Sequence, residues 1–191
     1  MKKIKKQLGI TLMEILVAVS LASLILLASY EIFSLSQELY IRHSNSTELT
    51  QNARIALERL TRDIRQTEEI ITDIPDVPDD PTNPPPSQLK FQDGHNSTPI
   101  RYIEYSLVNN SLYRKITHFY FPDHPEVWVT WNATDGNGNP ALESAPDESK
   151  VLAENISSLG FWGTSLVTID LQVSKNDINQ NFQTSVLGRN I

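Results

Sequence analysis

The sequence predicts an α+β fold, in which a long N-terminal helix packs on a mostly antiparallel β-sheet domain. Three observations support this prediction. No Gly or Pro interrupts the chain between Ile10 and Ile74, so one continuous helix can form there. Residues 73–87 then contain six prolines and four aspartates, a composition typical of a linker. Beyond residue 88 the apolar residues alternate with polar ones, which indicates β-strands.

Charge and composition limit the partners of the chain. The net charge is −7, and four lysines within the first nine residues conceal a more acidic body, which carries −11 once those four are set aside. Nonspecific nucleic-acid binding depends on Lys and Arg side chains that neutralise phosphates, so we expect no nucleic-acid partner. The chain has no cysteine, which excludes disulfides and thiolate metal sites.

Residues 1–9 form a basic leader, and residues 10–33 are predicted to form a transmembrane helix. The core of this apolar segment, from Ile10 to Ala28, has 19 residues. A membrane-spanning helix needs about 20. Basic residues before such a segment predict that the leader stays in the cytoplasm and that the rest of the chain is translocated. An ordinary secretory signal has an apolar region of about 7–15 residues and then a small cleavage-site residue, whereas here the small residue, Gly9, comes first.

A single carboxylate, that of Glu14, lies within the core of the apolar segment. A charge at the centre of a membrane-spanning helix costs about 2.5–3.5 kcal/mol on insertion scales and usually has a function. Glu14 therefore predicts a partner of opposite charge. An ordinary signal-anchored sensor, the simplest alternative, leaves Glu14 without a role.

The lysines, Gly9 and the run ITLMEI at residues 10–15 resemble the type III prepilin signal of type IV pilin-like proteins. The resemblance implies that a prepilin peptidase cleaves after Gly9, that Ile10 becomes the N-methylated mature N-terminus, and that Glu14 acts in assembly. The family usually has Phe at the first mature position, where this chain has Ile10. Cleavage frees an amine four residues before Glu14, and a neighbouring subunit can present that cation to the carboxylate, so that neither buried charge is left alone.

Two further segments, RIALERLTRDIRQ at 54–66 and VLAENISSLGFWG at 151–163, resemble J-type pseudopilins of type II secretion and W-type minor pilins. The resemblance implies a pilin-like fold and a minor pilin or pseudopilin, a structural subunit that helps initiate or cap a type IV pilus or type II secretion pseudopilus. It implies a single-pass protein of the inner membrane, with its head outside the cytoplasm, that later joins the filament. The implied partners are prepilin peptidase, other pilins or pseudopilins, the inner-membrane assembly platform and membrane lipid. The alternative is a pilus-tip binding module, an adhesin or DNA-uptake component, and the acidic head disfavours DNA.

Residues 34–74 are predicted to continue the helix in amphipathic form. Apolar residues recur at three- and four-residue spacing and predict a stripe that faces the sheet: Leu49, Ala53, Ala56, Leu57, Leu60, Ile64 and Ile71. Charged residues of both signs fall on the other faces and are expected in solvent: Arg54, Glu58, Arg59, Arg62, Asp63 and Arg65. Mixed signs favour a solvated face over a nucleic-acid patch, and Pro75 is expected to end the helix.

Residues 75–87 are predicted to be an extended, mobile linker, and residues 88–191 a β-sheet-rich head. The expected strands are Leu89–Gln92, Ile100–Val108, Leu112–Phe121, Val127–Trp131, Leu166–Ser174 and Asn181–Leu187. The pair Asn109-Asn110 predicts a tight hairpin turn, because Asn tolerates positive φ. In the run Val167–Val173 the odd positions are apolar and are expected to face the core.

No residue pattern predicts catalysis or a cofactor. The four histidines match no hydrolase, zinc-protease or phosphate-loop motif, so we expect no enzyme, and His118 with His124 fits a hairpin end better than a metal site. The loop Asp135–Asn139 places oxygens at alternate positions but lacks the Gly and Glu of an EF-hand, so a turn is the first interpretation and calcium the open alternative. Three tryptophans, Trp128, Trp131 and Trp162, are interpreted first as core residues. A carbohydrate-binding platform is the second interpretation.

Overall fold

The computed structural model describes residues 11–95, 98–163 and 165–188. Within these residues one helix, α1, spans Leu12–Arg65 and is followed by strands alone. The chain divides into two compact units, Met1–Ser44 and Asn45–Ile191, and α1 contributes to both. The predicted α+β fold is confirmed.

Ten strands, paired antiparallel, form three sheets in the described part of the chain. They are β1 (Gln88–Gln92), β2 (Tyr102–Val108), β3 (Ser111–Thr117), β4 (Phe119–Phe121), β5 (His124–Val129), β6 (Leu142–Glu143), β7 (Glu148–Glu154), β8 (Ile156–Trp162), β9 (Leu166–Lys175) and β10 (Ile178–Leu187). The strand orders are β1-β2-β3-β7, β10-β9-β8 and β5-β4-β6.

The first unit carries an apolar helix surface. An 18-residue window of α1 has a mean hydropathy of 2.3, and none of it is buried. By length and composition this helix can cross a membrane. The hydroxyls of Ser20, Ser23, Ser29 and Ser36 each donate to the backbone carbonyl four residues earlier, at 2.8 Å. These polar side chains are therefore satisfied within the helix and do not oppose an apolar environment.

In the second unit α1 contributes one face to the core. Leu49, Ala53, Ala56, Leu60 and Ile64 are fully buried, as the helical spacing predicted. They pack with sheet residues in one cluster that includes Leu89, Phe91, Tyr105, Phe161, Ile169 and Leu171. The small side chains at positions 53 and 56 allow the sheets to approach the helix closely, because an alanine extends no further than its Cβ.

The helix ends at Arg65, so the predicted continuation to residue 74 is wrong. Residues 67–72 instead lie along the edge of β1: the Ile71 amide donates to the Lys90 carbonyl at 2.9 Å, and the Gln92 amide donates to the Glu69 carbonyl at 2.8 Å. The Thr67 hydroxyl also donates to the Gln92 carbonyl at 2.9 Å. Four of these six residues are β-branched, which disfavours helix and favours extended backbone.

The sheets follow the predicted pattern in part and differ from it in several strands. Asn109 and Asn110 have φ values of 49° and 60° and form the expected turn between β2 and β3. The buried side of β9 is made by its odd positions, Val167, Ile169, Leu171 and Val173, as predicted. The expected strand Leu112–Phe121 is divided into β3 and β4, which belong to different sheets. The expected strand Val127–Trp131 is instead β5, His124–Val129, and strands β6, β7 and β8 were not predicted. The sequences of β7 and β8, ESKVLAE and ISSLGFW, lack a regular two-residue period.

The Pro-rich segment between α1 and β1 contains neither helix nor strand, yet it is attached to the head. Pro75 is buried, and its carbonyl accepts a hydrogen bond from the Gly163 amide at 2.7 Å. Further along, the Asp80 carboxylate accepts hydrogen bonds from the amide and hydroxyl of Thr82, at 2.8 and 2.6 Å. The first contact holds the loop beside the C-terminal end of β8.

Candidate functional site

Of the three predicted site residues, only Glu14 falls in the part of the chain that the structure describes. Gly9 and Ile10, the predicted cleavage site and mature N-terminus, lie outside the described residues. The described part of the candidate assembly site therefore consists of Glu14 and its neighbours on the first turns of α1.

Glu14 forms a reciprocal cap with Thr11 at the start of α1. The Thr11 amide and hydroxyl donate to Glu14 Oε2 at 2.8 and 3.1 Å, and the Glu14 amide donates to the Thr11 hydroxyl at 3.3 Å. This arrangement is the capping box, whose sequence pattern is Thr-x-x-Glu. That pattern is present at residues 11–14, so the cap could have been predicted from the sequence, although the resemblance alone did not reveal it.

The cap leaves part of the carboxylate available. Both donors of Thr11 use Oε2, and Oε1 has no hydrogen-bond partner among the described residues. Glu14 also borders a shallow apolar groove of about 550 Å³ lined by Ile15, Ala18, Val19 and Ala22. An exposed carboxylate beside an apolar helix face can accept a cation from another chain while the groove receives an apolar side chain.

A second acidic residue, Asp63, is buried where the sequence predicted a solvated residue, so that prediction is wrong. Only 5% of Asp63 is exposed. Its Oδ2 accepts hydrogen bonds at 2.8 Å from the Tyr105 hydroxyl and from Arg114 Nε, and its Oδ1 lies 3.3 Å from Arg59 Nε. Asp63 lies next to the buried Ile64, and β2 and β3 supply its donors; the burial is tolerated because the charge is paired.

The Asp63 cluster holds the helix against the sheet. Burial raises the pKa of Tyr105, and the negative charge of Asp63 raises it further, so the phenol stays protonated and donates. The Tyr105 phenol and Arg114 donate hydrogen bonds to Oδ2, and the Arg59 guanidinium contributes a second positive charge near Oδ1 without a hydrogen bond from its Nε. The cluster therefore has the character of a structural clamp between α1 and the β1-β2-β3-β7 sheet.

The loop predicted as a turn or a calcium site closes on its own carboxylate. Asp135 Oδ1 accepts the amides of Asn137 and Asn139 at 2.8 Å, and Oδ2 accepts the Asn139 side-chain amide at 2.9 Å. Hydrogen bonds from Asn139 lower the pKa of Asp135. No group of three His, Asp or Glu residues suited to a metal occurs in the described ranges.

The aromatic residues near β4 and β5 contact other parts of the head. The Trp128 ring stacks on His118 at a centroid distance of 4.0 Å, and the Arg101 guanidinium lies 5.4 Å from the Trp128 ring centre. The indole nitrogen of Trp131 donates to Glu69 Oε2 at 3.3 Å. These side chains therefore take part in contacts that stabilise the head.

Comparison with known proteins gives no match to any family model and no significant match to a curated protein. The fold and the site define a coarser class: an α+β chain with one apolar helix near its N-terminus that can span a membrane.

Proposed function

We propose that this chain is a type IV pilin-like protein, a minor pilin or pseudopilin that helps initiate or cap a type IV pilus or a type II secretion pseudopilus. One observation carries the proposal. Between Gln7 and Tyr30 the chain has a single charged residue, Glu14, and it lies on the first turn of a helix whose apolar surface is exposed.

The exposed apolar surface of α1 supports the proposal that this helix lies first in the membrane and later among the helices of other subunits. Large apolar side chains such as Leu12 and Leu26 are 79% and 70% exposed. Each would gain about 1.5–3 kcal/mol by full burial, so the helix requires a cover. Membrane lipid supplies that cover before assembly, and the apolar helices of other pilins or pseudopilins supply it in the filament.

The position of Glu14 supports a specific axial arrangement of adjacent subunits within that assembly. Thr11 occupies Oε2, which fixes the carboxylate at the helix start, and Oε1, which has no hydrogen-bond partner among the described residues, can accept a cation. Cleavage after Gly9 by a prepilin peptidase would create such a cation on Ile10 of an adjacent subunit. Pairing the amine with Glu14 sets the axial position of one subunit against the next, because a misplaced subunit leaves a charge unpaired in an apolar environment.

The experiment that tests the proposal compares Glu14→Gln with a matched control, Glu31→Gln. Both residues are exposed on α1, and only Glu14 lies on its first turn. Leader cleavage, abundance in the inner membrane and incorporation into filaments are measured for both variants. We expect Glu14→Gln to be cleaved and inserted but to lose incorporation at least tenfold, whereas Glu31→Gln behaves like wild type. Equal incorporation of the two variants would contradict an assembly role for Glu14.

A further inference from the structure

The strand edges of the head are protected to different degrees. An edge strand presents unpaired amides and carbonyls that can bind another extended chain, and proteins usually block such edges with charges, prolines, bulges or covering segments. The β1 edge is covered by residues 67–72, and β8 has a bulge between Ile156 and Ser158. The remaining blocked edges are β7, which carries Glu148, Lys150 and Glu154; β5, which contains Pro125 and Glu126; and β6, which has two residues.

Strand β10 has none of these protective features. It is ten residues long, and its sequence INQNFQTSVL contains no charged residue and no proline. It pairs with β9 in an unbroken register, from Ile178 opposite Lys175 to Leu187 opposite Leu166. Its other edge has no partner strand in the described part of the chain. This edge is long and regular, and no strand of the described residues pairs with it.

Contacts with α1 hold β10 in position. Ile178 and Phe182 pack against the core cluster. The Gln180 side-chain amide donates to the Ser46 hydroxyl at 2.8 Å, and the Thr50 hydroxyl oxygen lies 3.2 Å from Gln180 Oε1. A strand held in this way binds a partner at a lower entropic cost than a flexible segment would.

A groove beside β10 favours a negatively charged occupant. It has a volume of about 600 Å³. Its lining consists of Leu57 and Thr61 of α1, Gln66, Thr184 of β10, and three charged residues, Glu58, Arg62 and Arg65. Both arginines are exposed, and neither has a salt-bridge partner within 4.0 Å among the described residues. In a chain of net charge −7, two unpaired arginines against one glutamate give this groove a local positive charge.

We propose that the free edge of β10 binds an extended, carboxylate-bearing segment of a partner protein, which adds a strand to the β10-β9-β8 sheet. Backbone hydrogen bonds to β10 supply affinity, and carboxylates in the groove pair with Arg62 and Arg65. A second copy of β10 is the less suitable occupant, because its sequence has no acidic residue to pair with these arginines. The inference uses only residues of the Asn45–Ile191 unit and holds whether or not the chain enters a filament.

Photo-crosslinking of the full-length chain in the membranes of the cells that produce it tests this proposal. A photoreactive residue is placed at Asn181 of β10 or, as a matched control, at Gln172 of β9. The two residues are exposed and directly opposite each other in the ladder. An added strand would lie about 4.8 Å from β10 and twice as far from β9. We expect an adduct from Asn181 that is at least fivefold stronger than from Gln172 and that maps to an acidic segment of another protein.

Charge variants complete the test. The double variant Arg62→Gln/Arg65→Gln should lower the Asn181 adduct at least threefold, because it removes both cations of the groove. Arg54→Gln is the matched control, since Arg54 is exposed on the same helix but does not line the groove. Unchanged thermal unfolding of the double variant would establish that it is folded. Equal adducts from both strands, no adduct, an adduct with another copy of this chain, or an adduct that is insensitive to the double variant would each overturn the proposal.

Discussion

Arg114 Nε donates a hydrogen bond to Asp63 Oδ2 at 2.8 Å, and this ion pair joins the last turn of the helix to the third strand of the sheet. The side chains are 11% and 5% exposed, so water can replace neither partner fully. Tyr105 donates to the same oxygen at 2.8 Å. The carboxylate is therefore the centre of the contact between α1 and the sheet.

Replacing Asp63 by Asn should strongly destabilise the head. The change keeps the size of the side chain but leaves the Arg114 and Arg59 charges without their anion. Removing one partner of a buried ion pair typically costs about 3–5 kcal/mol. Tryptophan fluorescence, recorded while the full chain is unfolded by denaturant in detergent, measures the loss of unfolding free energy. The control is Glu58→Gln on the exposed side of the helix, which should change the unfolding free energy by less than about 0.5 kcal/mol.

The contrast between Asp63 and its neighbours explains which parts of the fold the sequence could predict. The stripe through Leu49, Ala53 and Leu60 and the alternation in β9 were predictable, because periodicity depends on residues close together in the chain. The burial of Asp63 was not predictable, because its partners Tyr105 and Arg114 are 42 and 51 residues away in the sequence. A charged residue beside an apolar stripe has the same local pattern whether it is solvated or paired.

The end of the helix and the candidate site also show that a local sequence pattern does not reveal contacts with distant residues or with other chains. No Gly or Pro marks Arg65, and the four β-branched residues among positions 67–72 are the local sign that the chain becomes extended. The hydrogen bonds that join this segment to β1 are tertiary contacts, which a local pattern does not reveal. At the candidate site, by contrast, the Thr11–Glu14 cap is local and its pattern could be read directly, whereas the partner proposed for Glu14 belongs to another chain.

Leader processing gives a second prediction. We expect mature protein from sheared filaments or membranes to begin at methylated Ile10, because Gly9 lies between the lysines and the apolar run. Intact-mass analysis measures the N-terminus. Gly9→Val should retain the leader, since it replaces the small residue at the cleavage site. Recovery of an unprocessed Met1 terminus from the wild type, in cells with active peptidase, would contradict the prediction.

A third prediction concerns the boundary of the head. A chain that starts at Gln37 keeps the whole Asn45–Ile191 unit with the buried stripe of α1, and it lacks most of the exposed apolar helix. We expect it to be soluble without detergent, to melt cooperatively and to show mixed helix and strand by circular dichroism. A matched chain that starts at Leu57 loses Leu49, Ala53 and Ala56 from the core and should aggregate. Aggregation of the longer chain would show that the head needs residues before Gln37.

The last prediction separates two roles of Glu14, as a helix cap and as a partner for another chain. Thr11→Val preserves the shape of residue 11 but removes its hydroxyl, and with it two of the three hydrogen bonds of the cap. Loss of an N-cap side chain typically costs about 0.5–2 kcal/mol of helix stability. The carboxylate of Glu14 remains charged in this variant, and Thr11→Ser is the control because it retains the hydroxyl.

If Glu14 pairs with the amine of a neighbouring subunit, Thr11→Val should assemble nearly as well as wild type while Glu14→Gln does not. If Glu14 only caps the helix, Thr11→Val should be impaired at least as much as Glu14→Gln, because glutamine keeps an oxygen that can accept from Thr11 in a capping box, whereas valine removes the hydroxyl. Filament incorporation normalised to membrane abundance measures the difference. Impairment of Thr11→Val equal to or greater than that of Glu14→Gln, with normal assembly of Thr11→Ser, would assign Glu14 to the cap and remove the main support for intersubunit pairing.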